Sequence, residues 1–415
     1  MSTCWEGTSQ FCAGTVQEAA GRAAKLLPVR VIGLMSGTSA DGVDAALVEW
    51  PDGPEATPFR LVSFQETRFP PALQQRIHRL AAGRVEGDDL LLELASLDVE
   101  LGDRFAEAAR AVVEAAGLGF DAIDAVASHG QTVGHYPERS ATLQIGDPSV
   151  IAERTGCTTV ADFRTRDVAA GGEGAPLAPF FHRVAFGDPD QGRLVLNLGG
   201  IANVTWIPPG GREEDVIAFD VGPANTLMDG VVQVASAGKQ RFDRDGRGAA
   251  RGSPDRDLLA RLLDDDFLRR PPPKSTGRER YGLAEAEGLA AEWLDRDREL
   301  DDLLATLLAF SVEAVRRACD DFIGTDDLAR LLVGGGGARN PTLMSALAAA
   351  LPATRVEPFD ALGVPTQAAE AMAFSLMGRN ALLGIPNHLP RCTGARHACV
   401  LGEIVPGAEG KRFRA

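Results

Sequence analysis

Twice along this 415-residue chain, a strand, a turn of small residues and a second strand open a run of alternating strands and helices. Val29–Met35 reads as a strand, Ser36-Gly37-Thr38-Ser39-Ala40-Asp41-Gly42 as a turn, and Val43–Trp50 as the next strand. Asp-Gly between two apolar runs is a turn signal. The arrangement returns as Leu194–Leu198, Gly199-Gly200 and Ile201–Trp206, without likeness in sequence. Two α/β stretches, each opened by a glycine-turn hairpin, predict an α/β fold of two domains with a cleft between them. Such clefts are preferred ligand sites. The expected division is a poorly ordered extension over 1–28, domains over 29–190 and 191–405, and a tail over 406–415.

The intervening sequence supplies the other elements. Leu94, Leu97, Leu101, Phe105, Ala108 and Val112 recur every three or four residues, so 88–116 is expected to be helical. Ile123–Ala127 and Thr158–Phe163 read as strands, the latter followed by a polar, glycine-rich loop through Pro176. Val216–Phe219 and Leu331–Val333 read as strands, with helices near 225–237, 300–322, 341–350 and 366–383.

Charge narrows the partners. Lys and Arg number 42 and Asp and Glu 58, giving a net charge of −16, which disfavours nucleic acid and anionic membrane surfaces. No run of 18 apolar residues or signal-peptide pattern occurs, and the six cysteines are scattered without a C-x-x-C, so the cytoplasm is the expected compartment. Cys392 and Cys399 are expected to be buried.

Five motifs carry candidate chemistry. In Gly33 through Asp44, glycines let backbone N–H groups face phosphate, and Asp41 or Asp44 suits Mg²⁺; a plain hairpin turn fits the pattern equally. In Arg164-Thr165-Arg166-Asp167 and the following glycines, Asp167 is a candidate general base, or a surface ion-pair partner of its arginines. His129, Gln131, Thr132 and Arg164 are candidate sugar-binding residues, and His135 fits a structural role. Asp220 through Asn225 and Gly334 through Asn340 each join a strand to a helix, a setting that favours phosphate or serves as punctuation. Pro271 through Glu279, with Lys274, is either a loop that closes on an anion or a linker. The P-loop pattern, G-x-G-x-x-G, zinc spacings and G-x-S-x-G are all absent.

Together these segments resemble the anhydro-N-acetylmuramic acid kinase family, of the actin, sugar kinase and Hsp70-like superfamily. The resemblance runs from about Val31 to Ile404 and is carried by 35–44, 162–172, 197–203, 272–279 and Thr393-Gly394-Ala395-Arg396. The chain departs from the family pattern at Glu173 (usually Gln), at Val221 and Ala224 in the usual Asp-Thr-Gly-Pro-Gly-Asn, and at Asn387-His388, where Pro-Gly-Asn-Leu-Pro is common.

The resemblance implies a two-domain actin-like ATPase fold with a central nucleotide cleft. It places ATP on Gly37, Thr38, Ser39, Ala40, Asp41, Gly42, Val43 and Asp44, and the catalytic aspartate on Asp167. The implied reaction converts 1,6-anhydro-N-acetylmuramic acid, ATP and water, with Mg²⁺, to N-acetylmuramic acid 6-phosphate and ADP, a step in peptidoglycan recycling. A homodimer is implied as well. Another sugar kinase of the superfamily, a nucleotide-gated binding protein and a catalytically impaired homologue are the competing readings.

Overall fold

The computed structural model describes residues 28–408 apart from 86, 88, 297, 325 and 326; the expected 1–28 extension and most of the 406–415 tail lie outside them. The first hairpin forms as expected. Strands β1 (Val29–Ser36) and β2 (Gly42–Trp50) pair antiparallel with Met35 opposite Asp44, so the small residues between them sit at the open end. Strand β3 (Arg60–Arg68) continues the meander, and the Asp89–Ala115 helix follows. Strand β4 (Ala125–Tyr136) then lies parallel to β1, with β5 (Ala141–Ile145) folded back on its far end and β6 (Thr158–Ala161) parallel to its near end.

The second half repeats the plan. Strands β7 (Gly192–Leu198), β8 (Ile201–Ile207) and β9 (Ile217–Pro223) form an antiparallel meander. Strands β10 (Leu328–Gly334) and β11 (Arg355–Pro358) add parallel to it. Ignoring the appended β5 and edge strand β12 (Glu403–Val405), the spatial orders are β6-β4-β1-β2-β3 and β11-β10-β7-β8-β9. The same βββ-then-parallel order occurring twice is the duplicated architecture of the actin-like ATPase fold. The parallel centres, near-continuously buried in β1, β7 and β10, require helices on both faces.

The chain returns to the first sheet at its end. The Ala369–Leu383 helix, with twelve buried residues, packs in one apolar core with β1, β2, β4 and the inner faces of β7 and β10. Ser375 Oγ donates to Val31 O at 2.8 Å and accepts Trp50 Nε1–H at 2.9 Å. Strand β12 pairs antiparallel with β6, and Gly407 N and Ala408 N bond to Thr158 Oγ1 and Gly156 O. Residues 369–405, grouped in the sequence with the second half, therefore serve the first sheet. That return carries His388 and Thr393 back to Asp167.

Two local expectations change. The segment after β6 is not a loop: Asp162 caps a helix over Phe163–Ala169, accepting from Thr165 N and Oγ1, and Asp167 lies on that helix. The strand expected to end at Ala127 runs on to Tyr136, so His129, Gln131, Thr132 and His135 all lie on β4.

Candidate active site

Two adjoining chambers open between the sheets. The first, about 840 Å³, is lined by Gly37, Thr38, Ser39 and Asp44 from the first hairpin and by Gly199, Gly200, Gly335 and Gly336 from the second half. The second, about 500 Å³, is lined by Arg164, Glu173, Asp220, Lys274, Thr393 and Gly394, among others. Asn197, Asn203 and Glu370 border both, so a group held in one chamber can reach a group held in the other.

Glycine backbone forms much of one wall of the first chamber. A Cβ on Gly200 would lie 2.7 Å from Thr226 Oγ1, and that hydroxyl is buried without a hydrogen-bond partner. Buried hydroxyls are normally satisfied, so Thr226 is aimed at something that binds there. On the opposite wall, burial and the charges of Glu66, Glu370 and Asp41 push the Asp44 carboxyl up to about 7. Crowded carboxylates of this kind favour a cation among them.

Of the eight hairpin residues expected at the nucleotide, Gly37, Thr38, Ser39 and Asp44 line the chamber. Ala40 and Val43 are buried beneath it, Asp41 O accepts Phe69 N–H at 2.9 Å, and Gly42 O lies 2.7 Å from Ser36 Oγ. Those four shape the turn rather than face the cavity.

Asp167 is completely buried beside the second chamber. Gly174 N–H donates to Oδ2 at 2.7 Å, Thr393 Oγ1 donates to Oδ1 at 2.7 Å, and His388 Nδ1 lies 2.6 Å from Oδ1. Burial works to raise this carboxyl, but His388, Thr393 and the Gly174 amide outweigh it and hold it below the ordinary aspartate range. A Cβ at Gly172 would stand 2.2 Å from Oδ2, so the 171–176 loop lies directly on the carboxylate. Arg164 bridges this loop to the sheet: Nη1 donates to Gly174 O at 2.6 Å, and Nε donates to His129 Nε2 at 2.9 Å. Burial lowers the Arg164 guanidinium to about 10, which leaves it charged at neutral pH.

The candidate sugar-binding residues divide. Arg164 lines the second chamber, as does His135. His129 is buried, with Nδ1 2.9 Å from Gly130 O; burial first, then Arg164, drives its ring well below the usual histidine range, so it is neutral. Gln131 is buried too, with Oε1 2.7 Å from Ser36 Oγ and Nε2 donating to Gly37 O at 3.2 Å. It holds the first glycine turn in place from β4. Thr132 Oγ1 accepts from Gln144 Nε2 at 3.2 Å.

Lys274 also differs from a loop lysine free to close on an anion. Its ammonium donates to Phe267 O and Leu268 O at 3.1 and 3.0 Å and sits 4.8 Å from the rings of both Phe267 and Phe322. Burial lowers it to about 8. Sequence reasoning does not single out Glu370, His388 or Thr393 as site residues. Thr393 carries a signal in the Thr-Gly-Ala-Arg motif and His388 in its departure from the family pattern; Glu370 carries none, being one acid at the start of an apolar helix. Cys392 and Cys399 are buried free thiols, as expected.

Comparison with known proteins places the whole arrangement. Residues 29–407 match the model of the family described as anhydro-N-acetylmuramic acid kinase. The anhydro-N-acetylmuramic acid kinase of Acidithiobacillus ferrooxidans is 46% identical over 383 residues, covering 91% of this chain and 93% of that one. That of Streptomyces coelicolor is 44% identical over 389 residues, covering 93% and 96%. Among solved structures, component A of (R)-2-hydroxyglutaryl-CoA dehydratase from Acidaminococcus fermentans aligns with 84% of this chain and 98% of that chain, at 13% identity and a TM-score of 0.41. So distant a likeness adds nothing to the strand orders themselves. The family match is of another kind, nearly full-length on both sides and spanning every residue of the two chambers: this chain belongs to the anhydro-N-acetylmuramic acid kinase family.

Proposed function

We propose that the protein opens 1,6-anhydro-N-acetylmuramic acid with water and transfers the γ-phosphoryl group of ATP to O6, giving N-acetylmuramic acid 6-phosphate and ADP for peptidoglycan recycling. The observation that carries this reading is the pair of joined chambers, a glycine cradle and an arginine-lined pocket beside one buried, ionised carboxylate. In the step, water oxygen bonds to C1 as the C1–O6 bond breaks. O6 bonds to the γ-phosphorus as the bond to the β-phosphate oxygen breaks, and one water proton passes to Asp167. A carboxylate held ionised by three hydrogen-bonding groups suits that task. Because O6 takes a phosphoryl group, no second carboxylic acid is required to protonate it.

The residues present fit a magnesium nucleotide. Thr226 Oγ1 lacks a partner beside Gly200, and the raised Asp44 carboxyl lies across the chamber. Asp44 would hold Mg²⁺ directly or through water; the ion, when bound, neutralises charge on the phosphates. The loop over Asp167 gives this chain two duties there: Gly174 N–H orients the carboxylate, and residues 171–176 keep bulk water from it.

ADP release across a sugar panel tests the reading. The anhydro sugar should support turnover, while glucose and the already opened N-acetylmuramic acid should not. Turnover with the opened sugar alone would favour an ordinary sugar kinase of the same superfamily. We also read the protein as a cytoplasmic homodimer: buried free thiols at Cys319, Cys392 and Cys399 suit a reducing compartment, and light scattering should give twice the chain mass.

A further inference from the structure

His388 is completely buried against the expected base, with Nδ1 2.6 Å from Asp167 Oδ1. Its segment is pinned by Asn387, whose Nδ2 donates to Met377 O and Leu401 O at 2.8 and 3.0 Å and whose Oδ1 accepts Leu401 N–H at 2.7 Å. The ring is therefore delivered by a fixed backbone. Its Nε2 accepts Cys399 N–H at 3.0 Å, with Cys399 Sγ 3.5 Å away. A ring nitrogen that accepts a backbone N–H carries no proton, so the proton of the neutral imidazole resides on Nδ1. Nδ1 lies 2.6 Å from Asp167 Oδ1, in contact but not aligned for a regular hydrogen bond, and it has no other hydrogen-bond partner.

We propose that His388 is a positioning residue for the reaction: a neutral imidazole whose Nδ1–H secures Asp167 Oδ1 and leaves Oδ2 to receive the proton from water. The proposal rests on Asp167 being the base. It accounts for a carboxyl that is completely buried yet held below its ordinary range. The other charged and titratable groups around the pair are Arg164 on the same helix, Arg166 beside Cys399, Arg396 against Gly171, and Glu173 in the covering loop. Burial pushes the Cys399 thiol up, so it faces the ring uncharged at neutral pH. An asparagine amide also donates, so it can perform the same duty in a different shape.

The test compares wild type, His388→Ala and His388→Asn by the pH dependence of kcat/KM for the anhydro sugar and by carbon-13 titration of the Asp167 carboxyl. A nitrogen-15 spectrum of the wild-type ring reports its tautomer. The alanine variant should move both the acidic limb and the carboxyl titration up by about one pH unit, since a hydrogen bond to a charged group is worth about that much. Its kcat should fall about tenfold with KM for ATP unchanged. The asparagine variant should restore both titrations. An unmoved carboxyl in the alanine variant, or a ring proton on Nε2, overturns the proposal. Should the alanine variant not fold, the tautomer and the asparagine variant decide it. The two NMR readouts need no turnover, so a wild-type protein inert toward the sugar would sink the functional reading without deciding this one.

Discussion

The two halves share one strand order and divide the labour at the cleft. The first sheet, with the C-terminal segment that returns to it, supplies ionisable side chains: Asp44, Arg164, Asp167 and Glu370. The second supplies mainly backbone and amides: Gly199, Gly200, Gly335, Gly336, Asn197 and Asn203. Two of its ionisable groups at the cleft are already engaged, Lys274 by two carbonyls and Asp220 by Thr276 N–H at 2.9 Å. The glycine turns show the same contrast. A Cβ at Gly37 would meet nothing within 4 Å, whereas one at Gly335 (φ 75°) would lie 2.4 Å from Asn197 Oδ1. The turn after β1 is thus open, whereas the turn after β10 is packed solidly.

Substitutions on the charged side should damage chemistry more than folding, and those on the cradle side the reverse. Asp167→Asn should keep nucleotide binding by calorimetry and lower kcat by about 10³-fold or more in an ADP-coupled assay. Near-normal kcat would remove Asp167 from the mechanism. Gly172→Ala, whose new Cβ would stand 2.2 Å from Asp167 Oδ2, should lower kcat about 100-fold by displacing the carboxylate. On the cradle side, Gly335→Ala should cost about 2 kcal/mol in urea unfolding, from the left-handed backbone and the clash together. Gly37→Ala should stay within about 0.5 kcal/mol of wild type in the same experiment. If the two glycine variants unfold alike, the contrast between the turns fails.

Asp44 offers a smaller test with a defined sign. Its folded carboxyl titrates at about 7 against an ordinary value of 3.8. The stability this group contributes is full below pH 3.8 and is lost as pH rises through about 7. Asp44→Asn should therefore gain stability relative to wild type on going from pH 4 to pH 8. Magnesium nucleotide binding at pH 7 should expel about half a proton, read from the buffer dependence of the calorimetric heat, and the variant should show none. Proton uptake instead would show that the carboxyl is not where the cation binds.

Much of this architecture is legible in the residues themselves. Both hairpins announce themselves because a buried strand, a glycine turn and another buried strand are local signals. The Asp89–Ala115 helix follows from its apolar period. The helix carrying Asp167 has no such signature, because seven residues with two arginines show no apolar face, and what starts it is a single cap, Asp162. Gln131 has the chemistry of a sugar ligand but spends it on Ser36 and Gly37, across a sequence separation no local pattern reveals. Glu370, His388 and Thr393 reach the site because the chain returns to its first sheet over 200 residues after Asp167. A motif records which side chain is present; the partner is fixed by the fold.

The most direct measurement incubates the purified protein with magnesium ATP and 1,6-anhydro-N-acetylmuramic acid and weighs the sugar product while counting ADP. One ADP per sugar, with a product heavier by one phosphoryl group and one water, is the predicted result. ADP release with the sugar unchanged, or a phosphorylated sugar whose anhydro bridge is intact, would contradict the coupling of water attack and phosphoryl transfer.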